Sequence, residues 1–440
     1  MFLKTDFYRH HRSILRIALP SIVSNITVPL LGIIDVAIVG HLGNATYIGA
    51  IAVGSMIFNL VYWIFGFLRM GTSGMTSQAL GRRSLTEVVQ LLLRSLSISF
   101  AIAFALLAAQ VLLQKAMFFL ISPTDDIATI SADYFYMVVW GAPAMLGLYG
   151  LTGWFIGMQN TRIPMFISIM QNVVNIAASL ALVLWLGMGF RGVAIGTLIA
   201  QYSGFALALL LLVRHYGRLR RYVVFKGLFA ADAMIKFFRV NGDIFVRTLF
   251  LVAVNLFFTS AGARQGAVIL AVNTLLLQLF LLFSYIMDGF AYAGEALCGK
   301  FYGAGNIRAM KDTVGRLFFW GGVMTFLFTL TYAIGGESFL HLLTDDNAVI
   351  AASAEFFPWA LVIPMAGVTA FIFDGVFIGL TATRGMLAAS VVSACLFFLV
   401  YLLFSPSLGN HALWLAQVVY LSMRGAVQGL IFMRKRFQVG

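Results

Sequence analysis

The stretch GWFIGMQNTR at residues 153–162 occurs again as GVFIGLTATR at residues 375–384, 222 positions later. The triplet TDD at 124–126 also returns, at 344–346, after nearly the same interval. This interval is half of the 440-residue chain. An internal repeat of that size indicates two halves that share one topology.

Both halves are too apolar for a soluble protein. Of all residues, 61% are hydrophobic and 10% are charged, and the mean hydropathy is +0.95. Soluble domains have about 45–50% apolar and about 25% charged residues. A membrane span needs about 20 apolar residues. We predict twelve, at 14–40, 46–69, 90–113, 128–150, 162–185, 190–213, 240–261, 267–291, 314–336, 349–374, 385–406 and 411–433.

The basic residues divide unevenly between the two sets of segments that connect these spans. One set holds only Lys115, Arg191 and Arg264, whereas the set that includes both termini holds all other bases outside the spans. The positive-inside rule therefore predicts that both termini are cytoplasmic. We expect an all-α integral membrane protein with twelve transmembrane helices in two six-helix lobes.

The longest polar segment lies between the two halves of the repeat. We assign 1–213 to an N-terminal lobe, 214–239 to a cytoplasmic linker and 240–440 to a C-terminal lobe. Six spans are an even number, so both lobes enter the membrane from the same side. Such parallel repeats are related by a pseudo-twofold axis along the membrane normal, with a substrate route between them.

The net charge of +13 lies in the connecting segments, so nucleic acid is not an expected partner. The two cysteines and six histidines show no metal-ligand spacing, and HExxH, GxSxG and Walker A motifs are absent. We therefore expect no enzyme, no resident metal and no cofactor. The expected partners are the lipid bilayer and small molecules, and we expect a monomer.

Five acids lie in or at the ends of predicted spans, where a charge costs about 2.5–3.5 kcal/mol and is by default a functional hypothesis. They are Asp35, Asp243, Asp288, Glu295 and Asp374. Asp243 precedes Arg247 by four residues, which predicts an ion pair on one helix face. Asp374 has no base nearby in sequence. Asp288 and Glu295 lie seven apart, on one face, where they could anchor loops or gate.

Asp35 interrupts the apolar run LLGIIDVAIVG at 30–40, and the nearest base in sequence is Arg16. An unpaired carboxyl group in such a helix is costly to ionise, so it could exchange a proton near neutral pH. Pro20 and Pro29 lie in the same span, and each removes a backbone hydrogen bond and marks a bend.

The fifth and sixth predicted spans carry uncharged polar residues. Asn175 and Ser179 share one face of the fifth span, and Thr197 lies in the sixth. Hydrogen bonding between helices is the simplest interpretation of these side chains.

Three stretches resemble the multidrug and toxic compound extrusion (MATE) family, and specifically its DinF branch. They are IALPSIVSNITVPLLGIIDVAIVGHLG (17–43), DGFAYAGEALCGKFYGAGN (288–306) and FDGVFIGLTATR (373–384). The resemblance covers essentially the whole chain. It implies a twelve-helix antiporter that exchanges drugs for H⁺ or Na⁺.

The resemblance also implies roles for single residues. Asp35 matches the first-helix aspartate that couples ion flow in the N-terminal lobe, and Pro20 matches the proline about which that helix bends. Asn175 and Thr197 match polar members of the same network. Ser179 stands where several relatives have a second aspartate, which disfavours a sodium site built from several carboxylates.

In the C-terminal lobe, Asp374 matches the tenth-helix aspartate that other branches use for a cation site. We include it with Asp288 and Glu295 as a second candidate coupling set. The predicted function is secondary-active multidrug efflux in the bacterial cytoplasmic membrane. Amphiphilic or cationic organic compounds would leave in exchange for inward H⁺, with Na⁺ the less favoured ion.

Two alternatives remain open. A transporter of the major facilitator type usually has a GxxxDRxGRR-like loop after its second helix, and here the loop reads GRRSLTEVV (81–89). A flippase for a lipid or a lipid-linked sugar should line its cavity with several bases that bind phosphate. Bases within the spans are few, mainly Arg247.

Overall fold

A computed structural model of the chain describes residues 11–27, 37–38, 45–344 and 346–435. Asp35 and Pro29 lie outside these described residues. Within them, the regular secondary structure is entirely helical.

The helices are numbered α1 to α15 over the described ranges. They are α1 (11–27), α2 (Ala45–Phe65), α3 (Phe67–Gly81), α4 (Leu85–Ala108), α5 (Gln110–Ile121), α6 (Asp125–Val138), α7 (Ala142–Gly157), α8 (Arg162–Leu180), α9 (Phe190–Tyr216), α10 (Ala231–Ala263), α11 (Ala267–Gly303), α12 (Ile307–Leu343), α13 (Asn347–Gly379), α14 (Thr383–Leu408) and α15 (Asn410–Arg434). Short 3₁₀ turns connect α6 to α7 and extend α9, and a π turn extends α8.

Eleven helical stretches in the described part of the chain are long and apolar enough to cross a membrane. Each overlaps one of the predicted spans from the second to the twelfth, and α1 covers part of the first. The predicted all-α membrane fold is confirmed. Several helices extend beyond the predicted spans. For example, α11 continues to Gly303, whereas the predicted span ends at residue 291. An apolar pattern marks only the lipid-facing length, whereas backbone hydrogen bonds can continue a helix into water.

Packing divides the chain into two compact units. The N-terminal unit is Val23–Phe237, and the C-terminal unit is Phe238–Gly440 together with Met1–Ile22. In the C-terminal unit, the indole of Trp320 donates to Nδ1 of His11 at 3.0 Å, which fastens the start of α1 to α12. The predicted ranges 1–213, 214–239 and 240–440 therefore describe the sequence repeat, while packing places the start of α1 with the second half.

The sequence repeat has a packing counterpart inside each unit. In the N-terminal unit, Gly153 of α7 lies so close to α3 that an added Cβ would collide with the carbonyl oxygen of Arg69. In the C-terminal unit, Gly375 of α13 lies in the same way against the carbonyl oxygen of Ala291 on α11. Both partners are 222 positions apart, as are the two glycines.

The same contact repeats one turn later. An added Cβ on Gly157 would lie 2.8 Å from the carbonyl oxygen of Ser73, and one on Gly379 would lie 2.7 Å from that of Glu295. Small residues allow helix backbones to approach this closely within a membrane. Two glycines, one turn apart, therefore allow close backbone contact of α7 with α3 and of α13 with α11.

We predict that Gly375→Ala destabilises the protein by about 1–3 kcal/mol, because the new methyl group meets backbone atoms that cannot rotate away. The matched control is Gly322→Ala on α12, where an added Cβ meets nothing within 4 Å. That change should be neutral or stabilise by about 0.5–1 kcal/mol. Thermal unfolding in detergent measures both variants. Equal midpoints for the two would contradict this account of the packing.

Candidate ion-coupling sites

The first candidate site is a polar face between α8 and α9 in the N-terminal unit. The amide of Asn175 donates to the hydroxyl of Thr197 at 3.2 Å, and this hydroxyl donates to the carbonyl oxygen of Val193 at 3.0 Å. Asn175 and Ser179 are fully buried. The structure thus brings together Asn175 and Thr197, which lie on different helices.

Two acceptors on this face are unsatisfied. Oδ1 of Asn175 and Oγ of Ser179 are buried and have no hydrogen-bond partner among the described residues. Burying a polar atom without a partner costs about 1–3 kcal/mol. These two atoms lie one turn apart on α8.

The end of α1 lies alongside the same face of α8. Oγ of Ser168 lies 2.9 Å from Oγ1 of Thr27, and the amide of Asn172 donates to the carbonyl oxygen of Thr27 at 2.7 Å. Asn172 precedes Asn175 by three residues, about one turn. Asp35 follows Thr27 by eight residues and lies outside the described part of the chain.

Pro20 lies inside α1, which is helical on both sides of it. Next to it, the hydroxyl of Ser21 donates to the carbonyl oxygen of Ile17 at 2.8 Å. The boundary between the compact units follows Ile22, two residues after Pro20. The proline therefore lies where the chain passes from one unit to the other, and its role as a hinge stays a prediction.

The second candidate site is a buried ionic cluster in the C-terminal unit, which we call the Asp374 cluster. Arg247 of α10 and Arg424 of α15 each donate through Nη2 to Oδ2 of Asp374, and Arg424 lies at 3.2 Å. The amide of Gln428 donates to Oδ1 at 2.7 Å. Asp374 itself is 7% exposed.

The structure corrects one sequence prediction at this cluster. The pairing of Asp243 with Arg247 is wrong: Arg247 reaches Asp374, and Asp243 accepts a 2.7 Å hydrogen bond from Thr383. Asp374, which has no base nearby in sequence, binds bases on α10 and α15. Spacing along one helix shows only neighbours on that helix, whereas these partners are 127 and 50 positions away.

The Asp374 cluster carries more positive than negative charge, and all of it comes from the protein itself. Two guanidinium groups and one carboxylate are buried together, and the carboxylate accepts from three donors. The two guanidinium groups repel another cation. Binding of Na⁺ is therefore disfavoured at this carboxylate.

Asp288 and Glu295 lie on α11 and differ in their surroundings. Asp288 is half-buried and interacts electrostatically with Arg424. Glu295 is 1% exposed and lies where α11 packs against Gly379. The structure therefore associates Asp288 with the Asp374 cluster and places Glu295 in a helix contact.

The MatE family model matches residues 20–181 and 244–403. The chain belongs to the MatE family. This membership makes it a membrane transporter and excludes the major facilitator alternative. Solved MATE structures share its fold: that of Vibrio cholerae VcmN in the bent form superimposes with a TM-score of 0.87 at 16% identity, covering 98% of each chain.

Two curated relatives of this MatE protein differ in similarity and in name. The DNA damage-inducible protein F of Escherichia coli is 34% identical over 96% of this chain and 92% of its own length. A probable multidrug resistance protein, NorM of Pseudomonas putida, is 24% identical over 92% of this chain and 87% of its own.

Arg424 and Gln428 are site residues of this MatE transporter that our sequence predictions missed. A signal was present, because Arg424 interrupts the apolar run 412–433 and Gln428 follows it on the same helix face. We instead counted Arg424 with the bases near the membrane surface. It is 4% exposed, and its guanidinium lies 5.7 Å from the ring of Tyr420.

We predict that Asp374→Asn destabilises this MatE protein by about 3–5 kcal/mol, because it leaves two buried guanidinium groups without their carboxylate. Asp243→Asn is the control: its partner is the Thr383 hydroxyl, so the loss should be about 0.5–1.5 kcal/mol.

Thermal unfolding of the purified variants measures both losses. Adding Arg424→Gln to the Asp374→Asn variant should recover part of the stability, since one uncompensated charge is removed. Strictly additive losses would show that Arg424 and Asp374 do not interact.

Proposed function

We propose that this MatE transporter is a secondary-active multidrug efflux antiporter that exports amphiphilic or cationic organic compounds in exchange for inward H⁺. It acts as a monomer in the bacterial cytoplasmic membrane, with both termini in the cytoplasm. The name of the Pseudomonas putida relative, a probable multidrug resistance protein, supports the substrate class. The uneven distribution of basic residues supports the orientation.

The observation that carries the coupling proposal is a contrast between the two candidate sites. In the Asp374 cluster, protein cations already occupy the carboxylate. On the α8 face, Asn175 and Ser179 keep acceptors that no described residue satisfies. A carboxylate that already binds two guanidinium groups gains little from an arriving cation. An acceptor without a partner gains a hydrogen bond when a proton donor arrives. We therefore assign coupling to the N-terminal unit and not to the second candidate set.

The same contrast favours H⁺ over Na⁺. Hard cations need several oxygen ligands. In the described part of the chain, the N-terminal site offers neutral oxygens, among them those of Asn175, Ser179 and Thr197, and Asp35 would add one carboxylate. A proton needs a single acid. Protonated Asp35 could donate its hydroxyl hydrogen to Oδ1 of Asn175, which lacks a donor among the described residues.

Protonation of Asp35 would change the conformation of α1. The start of α1 is held by Trp320, and its end is held by Ser168 and Asn172. Pro20 lies between these anchored ends. A neutral Asp35 favours the bent state, which expels substrate, and an ionised Asp35 favours the straight state, which admits it.

The proton gradient is large enough to drive this exchange. One pH unit is worth about 1.4 kcal/mol, which sustains a tenfold concentration gradient of substrate. Exchange of one H⁺ for one monovalent cation is electroneutral. A neutral substrate would also use the membrane potential, about 2.3 kcal/mol per 100 mV.

A flippase would require cations that can bind a lipid phosphate. The buried bases Arg247 and Arg424 both donate to Asp374, so they are engaged within the protein. This engagement favours antiport over the flippase alternative.

We predict that a pH gradient drives transport in proteoliposomes without sodium. A fluorescent organic cation reports substrate movement while potassium and valinomycin clamp the membrane potential. A Na⁺ gradient at equal pH should leave flux at the background level. Transport on Na⁺ alone would contradict the proposal and would mean that Ser179 and its neighbours complete a sodium site.

We predict that Asp35→Asn abolishes pH-driven flux, while Asp374→Asn lowers flux only as far as it lowers the amount of folded protein. Asparagine keeps the shape of aspartate but cannot exchange a proton. The amount of folded protein is measured by size-exclusion chromatography before reconstitution. Flux is then expressed per folded molecule. Substrate binding by Asp35→Asn should persist, because only coupling is lost. A larger loss per folded molecule at position 374 would transfer coupling to the C-terminal unit.

A further inference from the structure

The segment between α9 and α10, residues 217–230, combines positive charge with exposed apolar side chains. We call it the basic ribbon. It carries Arg218, Arg220, Arg221 and Lys226, all exposed, and it has no acid. Phe225 is 73% exposed and Phe229 is 56% exposed. Neither the α8 face nor the Asp374 cluster includes any of these residues.

The conformation of the basic ribbon is fixed by two side chains of α4. The amide of Gln90 donates to the carbonyl oxygens of Val224 and Lys226 at 3.1 and 3.2 Å. Nε and Nη2 of Arg94 both donate to the carbonyl oxygen of Leu228, at 2.9 and 2.7 Å. The carbonyl groups of three alternate residues of the ribbon are thus hydrogen-bonded to α4.

Arg94 holds the backbone of the basic ribbon more firmly than is needed for a segment that only sets the orientation of the protein in the membrane. Arg94 is 4% exposed, and Leu228 is 6% exposed beside it. A segment whose only task is to keep positive charge on one side of the membrane needs no fixed backbone. A buried guanidinium committed to one carbonyl group indicates that the position of the neighbouring side chains matters.

The basic ribbon lies where two membrane-crossing stretches end. One stretch is Phe190–Tyr222 and the next begins at Ala231, so we expect the ribbon to lie close to the lipid headgroups. Tyrosine rings such as that of Tyr222 favour this level, and basic side chains there are attracted to anionic lipids. Arg221 also lies over the ring of Tyr222, 5.1 Å from its centroid.

We propose that the basic ribbon is a binding site for anionic phospholipid headgroups. The four basic side chains contact lipid phosphates, and Phe225 and Phe229 insert among the neighbouring acyl chains. The clamp by Gln90 and Arg94 holds the two kinds of side chain side by side. Lipid binding here stabilises the N-terminal unit.

The test measures the unfolding midpoint of the full-length protein in neutral detergent as phosphatidylglycerol is added. Phosphatidylcholine with the same acyl chains and inorganic phosphate are separate arms. We expect phosphatidylglycerol alone to raise the midpoint. An equal rise with phosphatidylcholine would overturn recognition of the headgroup charge, and an equal rise with inorganic phosphate would overturn lipid as the ligand.

Arg218→Gln/Arg220→Gln/Arg221→Gln should raise the half-saturating concentration of phosphatidylglycerol on the order of 100-fold, since each surface base contributes about fivefold. Replacing the same three with lysine should restore the response. The matched control is Lys115→Gln/Arg191→Gln/Arg264→Gln, which removes three bases from the opposite set of connecting segments and should respond like the unmodified protein.

A second variant keeps every charge. Phe225→Ser/Phe229→Ser should weaken the response to phosphatidylglycerol through loss of apolar insertion alone. An unchanged response in both this variant and the triple glutamine variant would overturn the proposal. Neither measurement depends on transport, so the antiport proposal can fail while the lipid site stands.

Discussion

Direct backbone contact between two helices is the constraint on which each unit depends. Gly153 and Gly157 bring α7 against α3, and Gly375 and Gly379 bring α13 against α11. In a membrane, helix association gains little from the hydrophobic effect, so close van der Waals contact has to supply it. The polar residues of the C-terminal unit use this arrangement, because Asp374 immediately precedes Gly375 and is positioned by the same turn of α13.

The two candidate sites differ in how their charged and polar groups are paired. The carboxylate of the Asp374 cluster accepts three hydrogen bonds from two other helices, α10 and α15, and two of the donors are cations. The face at Asn175 is buried but retains unused acceptors. A buried polar atom without a partner is costly unless a ligand or another residue completes it. This difference, together with the carboxyl group of Asp35, is the physical reason for proposing ion coupling in the N-terminal unit.

Sequence reasoning predicted the fold well because apolar length and internal repetition are properties of the chain itself. It also placed Asn175 and Thr197 among the candidate residues. It failed where partners come from distant helices: Arg247 was paired with Asp243, four residues away, when its partner Asp374 is 127 positions away. Side chains such as Arg247 and Arg424 are long enough to choose between local and distant acids, and only the packing of α10, α13 and α15 decides between them.

The repeat also bears on the history of the chain. Subtracting 222 from Asp374 gives Thr152, the residue before Gly153, so a charged group in one half corresponds to an uncharged hydroxyl in the other. The glycines beside both positions kept the same backbone contact. If the halves arose by duplication, the scaffold stayed constant while the chemistry next to it diverged. Two copies of one architecture could then specialise: the second half for a stabilising ion cluster, and the first half for the proposed exchange of protons.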